Sequence, residues 1–313
     1  MISTDRLSSR RRRAVADLLD RTRMHDGVSA LDEAAVLALD GTTARHLLVE
    51  EPDGEAADAE TAGGRSADGA LRLIGYTSVL ADGTVQGMVD PAERRRGHGQ
   101  ALLDRALADH PDARVWSHGA LPASMAFLEA RGLQPIRTLL TMRRPLGAQQ
   151  PVPDPPPIRA DEHGTGAHLD IFDPQHDAEA WVRVNAAAFQ DHPEQGSLGL
   201  EDLRRRMEQE WFRAEDLLVA RPDDGADLLG FVWVKRVPGQ EAEIYAVGTA
   251  PQAQRRGVAA HLLGAALRQL EQAGESAVTL YVEGSAGGAV ALYESWGFEV
   301  SGRHVQLRPG GAA

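Results

Sequence analysis

Between Val258 and Ala273, apolar residues recur at Ala259, Leu262, Leu263, Ala266, Leu267 and Leu270. That three-and-four spacing predicts a helix that lays one apolar stripe on a sheet. The same pattern occurs 160 residues earlier, with Leu102, Leu103 and Leu107 falling on Leu262, Leu263 and Leu267, and predicts a helix over 97–109. Short apolar runs bounded by turn residues predict strands at 46–50, 71–79, 85–90 and 114–118, followed by a helix at 122–131. The later half gives strands at 217–220, 228–237, 242–249 and 278–283 and a last helix at 288–296. Helices at 32–39 and 203–211 precede the two sets of strands. Strands interleaved with helices indicate α/β domains.

The repeat extends to the turn before each helix. Val89-Asp90-Pro91-Ala92-Glu93-Arg94-Arg95-Arg96-Gly97-His98-Gly99 matches Thr249-Ala250-Pro251-Gln252-Ala253-Gln254-Arg255-Arg256-Gly257-Val258-Ala259, with Pro91 on Pro251 and Gly97 on Gly257 and no gap. A duplicated ligand-binding unit is the reading to test. Five prolines from Pro151 to Pro157 interrupt helix and sheet alike and predict an extended linker. The domains are then expected at 1–147 and 158–313, with 148–157 between them. Residues 51–70, poor in apolar side chains, predict a long hairpin loop.

With 313 residues, each half has enough chain to bury its own core. A net charge of −13 argues against nucleic acid as a partner but leaves room for a small anion, since arginines cluster at 94–96 and 255–256. The chain has no cysteine, so thiol nucleophiles, disulfides and thiolate metal sites are excluded. No apolar run reaches the ~20 residues that span a bilayer. The arginines at 10–13 open an amphipathic helix rather than a signal peptide, so a cytoplasmic setting is the default. They read as a solvated helix face, as do His98 and His261. His163, His168 and His176 sit among carboxylates but at no helical or hairpin spacing, and no metal is expected.

A strand, a basic glycine turn and an amphipathic helix form a sensible anion site. Glycine permits close approach, the first helical turn offers unpaired N–H groups, and arginine adds charge. The P-loop ending, the third glycine of a dinucleotide fingerprint, a nucleophile elbow and a zinc helix are all missing from the sequence.

The run Gln254-Arg255-Arg256-Gly257-Val258-Ala259 resembles the acyl-CoA pyrophosphate signature of the GCN5-related N-acetyltransferases (GNAT), Gln/Arg-x-x-Gly-x-Gly/Ala. Ala291-Leu292-Tyr293-Glu294-Ser295-Trp296-Gly297-Phe298 is similar to the closing element of that family, although Ala286 stands where it usually has asparagine. The resemblance implies two tandem GNAT-like domains, each a mixed, mostly antiparallel twisted sheet flanked by helices, and acetyl-CoA as acetyl donor. Segments 185–196, 230–235 and 243–248 are similar to tandem members that acetylate the cysteinyl amine of a cysteine–glucosamine–inositol conjugate.

Carried over residue by residue, the resemblance implies Glu243 as general base and Tyr293 as general acid. It implies Glu33, Glu194, Lys235, Glu243 and Tyr281 around the acceptor amine. Cofactor contacts fall on Val247, Gly248, Thr249, Gln254, Arg255, Arg256, Gly257, Val258, Ala259 and Ala260. A second acetyl-CoA is expected at Gly87, Met88, Val89, Arg94, Arg95, Arg96, Gly97, His98 and Gly99. At the 160-residue offset Glu243 falls on Gly83, and the closing elements align Tyr293 with Leu128, so the first domain is expected to bind acetyl-CoA, or merely to keep the fold, without turnover. Plainer readings compete: Glu243 as a solvent-facing strand carboxylate like Glu241, Tyr293 as a core tyrosine, and Lys235 with Glu194 as a surface bridge. Glu33 equally suits an acidic first helical turn. The expected partners are a small-molecule amine and acetyl-CoA, without nucleic acid or membrane, and the expected form is a monomer. An acetyltransferase for another amine, such as an aminoglycoside or a protein N-terminus, and a non-catalytic acetyl-CoA sensor remain open.

Overall fold

The computed structural model describes residues 1–52, 71–190, 195–225 and 227–310. The chain forms two compact units, Met1–Leu139 with Arg303–Ala313, and Leu140–Gly302.

The first unit begins with β1 (Ile2–Thr4), α1 (Ser9–Asp26) and α2 (Glu33–Leu37). The Ser8 side chain accepts from Arg11 N at the start of α1, and Gly27, at φ 73°, closes the helix by donating to the Arg23 carbonyl. Its buried stripe of Ala14, Val15, Leu18 and Thr22 packs on the sheet. The arginine run is less solvated than its sequence suggests: Arg11 pairs with Glu50 at 2.7 Å and Arg12 with Asp40. Next come β2 (Ala44–Pro52), β3 (Leu71–Leu80), β4 (Thr84–Val89), α3 (His98–Asp109), β5 (Arg114–Ser117) and α4 (Pro122–Glu129). The predicted hairpin loop lies largely at residues 53–70, outside the described residues. Strands β1 to β4 pair antiparallel, and β4 and β5 run parallel over Thr84↔Arg114 and Val85↔Val115.

The division between units falls inside β6 (Leu133–Pro145) and inside the last strand of the chain. In the second unit the sequence continues through β7 (Ala167–Ile171), α5 (Ala178–Ala188), α6 (Leu200–Met207), β8 (Leu217–Pro222) and β9 (Gly230–Lys235). Then follow β10 (Ala242–Thr249), α7 (Val258–Gln272), β11 (Ala277–Glu283), α8 (Gly287–Ser295) and β12 (Glu299–Pro309). Strands β7 to β10 pair antiparallel, and β10 and β11 are parallel. The fold is therefore α/β, with mixed, mostly antiparallel sheets flanked by helices. Residues Val305, Gln306 and Leu307 of β12 pair with Ser117, Trp116 and Val115 of β5, and so the end of the chain completes the first unit.

The stripe read from α7 is buried at Leu262, Leu263, Ala266, Leu267 and Leu270, under 2% exposed in each case. Its core partners include Trp181, Phe231 and Trp233, which pack ring on ring at 4.9 and 5.6 Å. The proline-rich segment has neither helix nor strand and lies against α7. His261 Nδ1 donates to the Pro156 carbonyl at 2.7 Å, Val152 is buried, and Arg268 pairs with Asp154. His261 thus has a structural partner rather than a wholly solvated position.

Candidate active site

The two basic turns have the same shape. In the second unit Arg255 has φ 60° and Gly257 has φ 88°; in the first, Arg95 has φ 66° and Gly97 has φ 88°. A left-handed non-glycine residue costs about 1–3 kcal/mol, so its recurrence at the same place marks a loop held for a purpose. Gly97 and Gly257 are the N-caps of α3 and α7, and no side chain caps either helix. Their first-turn N–H groups point out of the helix toward the turn, an arrangement suited to a phosphate.

Several of the cradle arginines also have partners within the protein. Arg256 donates from Nε to the Arg159 carbonyl at 2.9 Å and from Nη2 to the Thr165 carbonyl at 3.2 Å. Arg94 makes a two-pronged pair with Asp26 at 2.8 and 2.6 Å, which holds the Asp26 carboxyl below its ordinary range. Arg96 pairs with Glu93 at 2.7 Å. These side chains brace the loops, while Gln254, Arg255 and Arg95 remain exposed.

Beyond the turn, the strands open. The β10–β11 register runs from Ala242↔Val278 to Ile244↔Leu280, although β10 continues to Thr249 and β11 to Glu283. On its other side β10 pairs with β9 from Glu243↔Lys235 to Thr249↔Gly230, and the register slips between Ile244 and Ala246. Tyr245 is the extra residue of a β-bulge there. The bulge lies between Glu243 and the backbone at Val247, Gly248 and Thr249, and so fixes the offset between them.

Side chains of several elements gather around this bulge. Glu243 is half-buried, opposite Lys235 on one side and Thr279 on the other. Glu241, of the same strand parity, is exposed and paired with Arg143 at 2.6 Å. Partial burial first, and the Glu243 carboxylate second, hold the Tyr281 phenol above its ordinary value. The Lys235 ammonium sits 4.9 Å over the Trp211 ring and 5.4 Å over the Tyr245 ring. Arg206 Nε donates to the Tyr245 hydroxyl at 3.0 Å. Tyr293, near the end of α8, is 8% exposed, with its ring edge-on to Phe298 at 5.8 Å. Burial pushes its phenol up to about 12, so it is protonated at neutral pH.

Sequence reasoning missed Trp211, Tyr245 and Arg206. The apolar spacing predicts a helix over 203–211, but α6 ends at Met207 and leaves Trp211 beyond it. Glu33 opens α2 in the first unit, whereas Lys235, Glu243, Tyr281 and Tyr293 lie in the second. Glu194 is outside the described residues. His163, His168 and His176 each face a different carboxylate, Glu162, Asp223 and Asp173 respectively.

The first unit repeats the cradle and changes the chemistry. The β3–β4 ladder runs unbroken from Gly75↔Val89 to Val79↔Val85, with no counterpart of Tyr245. Counting along the two ladders therefore brings Thr84 to the place of Glu243, correcting the Gly83 obtained by simple offset. Thr84 donates from N and Oγ1 to Asp82, each at 2.9 Å. Leu80 stands one step past Val79, as Lys235 does past Val234. The β5 and β11 registers, with the helices behind them, place Trp116 at Tyr281 and Leu128 at Tyr293, since 281 − 116 and 293 − 128 both equal 165.

A cavity of about 650 Å³ lies against this first cradle, lined by Gly87, Met88, Val89, Gly97, Gly99 and Leu128 among others. At its polar edge His118 Nε2 is 3.0 Å from Gln86 Oε1, and its Nδ1 is 3.0 Å from His304 Nδ1. Burial, with the nearby His304 second, pulls the His118 imidazole down to about 3, so it is neutral.

Among the described residues no helix is long and apolar enough to cross a membrane. Residues 181–298 match the family model described as Acetyltransferase (GNAT) family. Along its length the chain is similar to proteins named Mycothiol acetyltransferase. That of Brachybacterium faecium is 52% identical, with 98% of this chain and 98% of that protein covered. That of Thermomonospora curvata is 40% identical over 95% and 93% of the two chains. Among solved structures, a GCN5-related N-acetyltransferase from Sphaerobacter thermophilus superposes with a TM-score of 0.67 at 24% identity, covering 100% of this chain and 97% of that one. A tandem GNAT protein from the clavulanic acid biosynthesis pathway gives 0.57 at 19% identity, covering 77% and 81%. At these identities the two structures bear on the fold alone.

Proposed function

The chain belongs to the mycothiol acetyltransferases, within the GNAT family, and from that premise we propose that it acetylates the cysteinyl amine of a cysteine–glucosamine–inositol conjugate to give mycothiol. The observation that carries this reading is the 52% identity to a protein of that name across 98% of both chains. The acetyl donor in this reading is acetyl-CoA. The second cradle suits its pyrophosphate: an uncapped helix start, a glycine at φ 88°, and a left-handed residue two places before it.

When bound, acetyl-CoA supplies the thioester whose acyl carbon the amine attacks. In our reading the α7 N-terminus and the turn 254–257 hold the carrier, and the backbone of Val247–Thr249 faces the thioester carbonyl. Glu243, directly or through one water, removes the proton from the incoming ammonium. Lys235 and Tyr281 flank that carboxylate and bind the acceptor with it. Tyr293 Oη donates to the departing sulfur. A phenol held near 12 is a hydrogen-bond donor rather than a strong acid toward a thiolate of ordinary pKa ~8.5. Its contribution is therefore charge stabilisation: Tyr293 keeps its proton and hydrogen-bonds the departing thiolate, which takes its own proton from water. Much of the acceleration comes from holding the amine against the thioester.

The first unit, in the same reading, binds acetyl-CoA without turnover, since Thr84 and Leu128 stand at the ladder and helix positions of Glu243 and Tyr293. A cytoplasmic monomer is the working form we propose. The test is to offer purified protein acetyl-CoA with the cysteinyl conjugate and, separately, a panel of aminoglycosides and peptide N-termini. CoA release with the conjugate is expected; release only with the panel overturns the acceptor assignment.

A further inference from the structure

We propose that Arg206 is a positioning residue for the acceptor half of the reaction, setting, through the Tyr245 hydroxyl, the aromatic seat that aims the Lys235 ammonium at Glu243. The inference rests on the reading of the second unit as the acetylating site and adds two side chains to it. A bulge residue is not fixed by ladder pairing, so its orientation depends on what its side chain meets. The Tyr245 ring meets Trp211 and Trp233, each at 5.3 Å, and its hydroxyl accepts from Arg206 Nε at 3.0 Å. Arg206 is itself tethered, with Nη1 donating to the Asp202 carbonyl at 3.1 Å one turn back in α6. The start of that helix is pinned in turn by Gly199 N donating to Asp202 Oδ2 at 3.0 Å.

Lysine is rich in rotamers, and an ammonium at the end of four methylenes is aimed only by the groups around it. Among the contacts that hold Lys235 are the faces of Trp211 and Tyr245. The ladder places Lys235 directly opposite Glu243. Losing the Arg206 contact frees the Tyr245 ring, loosens the ammonium, and blurs the site that receives the amine. The first unit supports a functional origin for this device. It lacks the bulge, and leucine and threonine stand in place of the cation and the base.

The test is a double-mutant cycle on the full chain with Arg206→Met, Tyr245→Phe and the pair, plus Arg206→Lys as the conservative variant. Steady-state kinetics would vary the cysteinyl conjugate and acetyl-CoA in turn, with thermal midpoints as a folding control. Each single change is expected to lower kcat/KM for the acceptor about tenfold while leaving KM for acetyl-CoA unchanged. The double variant is expected to lose no more than the worse single one, because both break one contact, and Arg206→Lys to recover part of the loss. Additive losses, unchanged acceptor kinetics, or a rise confined to the acetyl-CoA KM would overturn the inference while wild-type turnover stands. A wild-type protein that releases no CoA with the conjugate overturns the functional reading, and this inference with it.

Discussion

Replacing Tyr293 with phenylalanine removes one oxygen from the site and leaves the packing in place. The ring is 8% exposed and meets Phe298 edge-on at 5.8 Å, a contact phenylalanine preserves, so the thermal midpoint should scarcely move. The kinetic effect follows from the state of the phenol. Held near 12 by burial, it is poorly matched to a thiolate leaving group of pKa ~8.5 and acts chiefly as a hydrogen-bond donor to developing charge. A hydrogen bond to a charged partner contributes about 1.5–3 kcal/mol, so kcat for Tyr293→Phe should fall about ten- to a hundredfold. The KM for acetyl-CoA should change little, because the contact strengthens only as charge builds on sulfur. The assay is continuous detection of released CoA thiol, repeated with an acetyl thioester of a more acidic thiol. That second donor should be less sensitive to the substitution, since its sulfur needs less help. An unchanged kcat, a loss appearing wholly in KM, or equal sensitivity with both donors would refute the role given to Tyr293.

Glu243→Gln should lower kcat/KM at neutral pH by about a hundredfold or more, with activity recovering as rising pH deprotonates the amine without help; a flat loss at all pH values argues against a base role. Gly97→Ala and Gly257→Ala each force a side chain into φ 88°, at about 1–2 kcal/mol. Calorimetry should show the first variant losing one acetyl-CoA site with turnover kept, and the second losing turnover; loss of turnover in a folded Gly97→Ala protein would contradict the division of labour. Stability should also depend on pH through buried imidazoles. Burial holds His46, His118 and His304 below the ordinary value of 6.5, so the unfolded chain takes up these protons first. Their contribution is complete above 6.5 and is lost as pH falls, for His118 across the window from 6.5 to about 3. Urea midpoints should therefore drop between pH 7 and 5, before the carboxylates titrate, and less so in His118→Gln; a midpoint constant over that range counts against buried neutral histidines.

The primary structure by itself determined what depends on short-range pattern. The apolar period of α7, the paired glycines at 97 and 257, and the proline run at 151–157 each restrict the backbone within a turn or two. Hence the duplicated cradle, the α/β class and most elements were legible without coordinates. Local pattern also showed that one half carries Glu243 and Tyr293 while Leu128 takes the tyrosine's place in the other. Tertiary structure decided what depends on counting across a ladder or on side chains far apart in the chain. A single bulged residue, Tyr245, shifts the counterpart of Glu243 from Gly83 to Thr84, and nothing in its neighbours' polarity announces the slip. Arg206, Trp211 and Lys235 meet only because α6, β9 and β10 converge on that bulge. The arginines of the cradles looked like phosphate ligands by charge, yet Arg94 and Arg256 find protein partners that sequence distance concealed. The last strand pairs with β5, nearly two hundred residues away in sequence, because its hydrogen-bonding edge is satisfied there; a linear division of the chain has no means of expressing this.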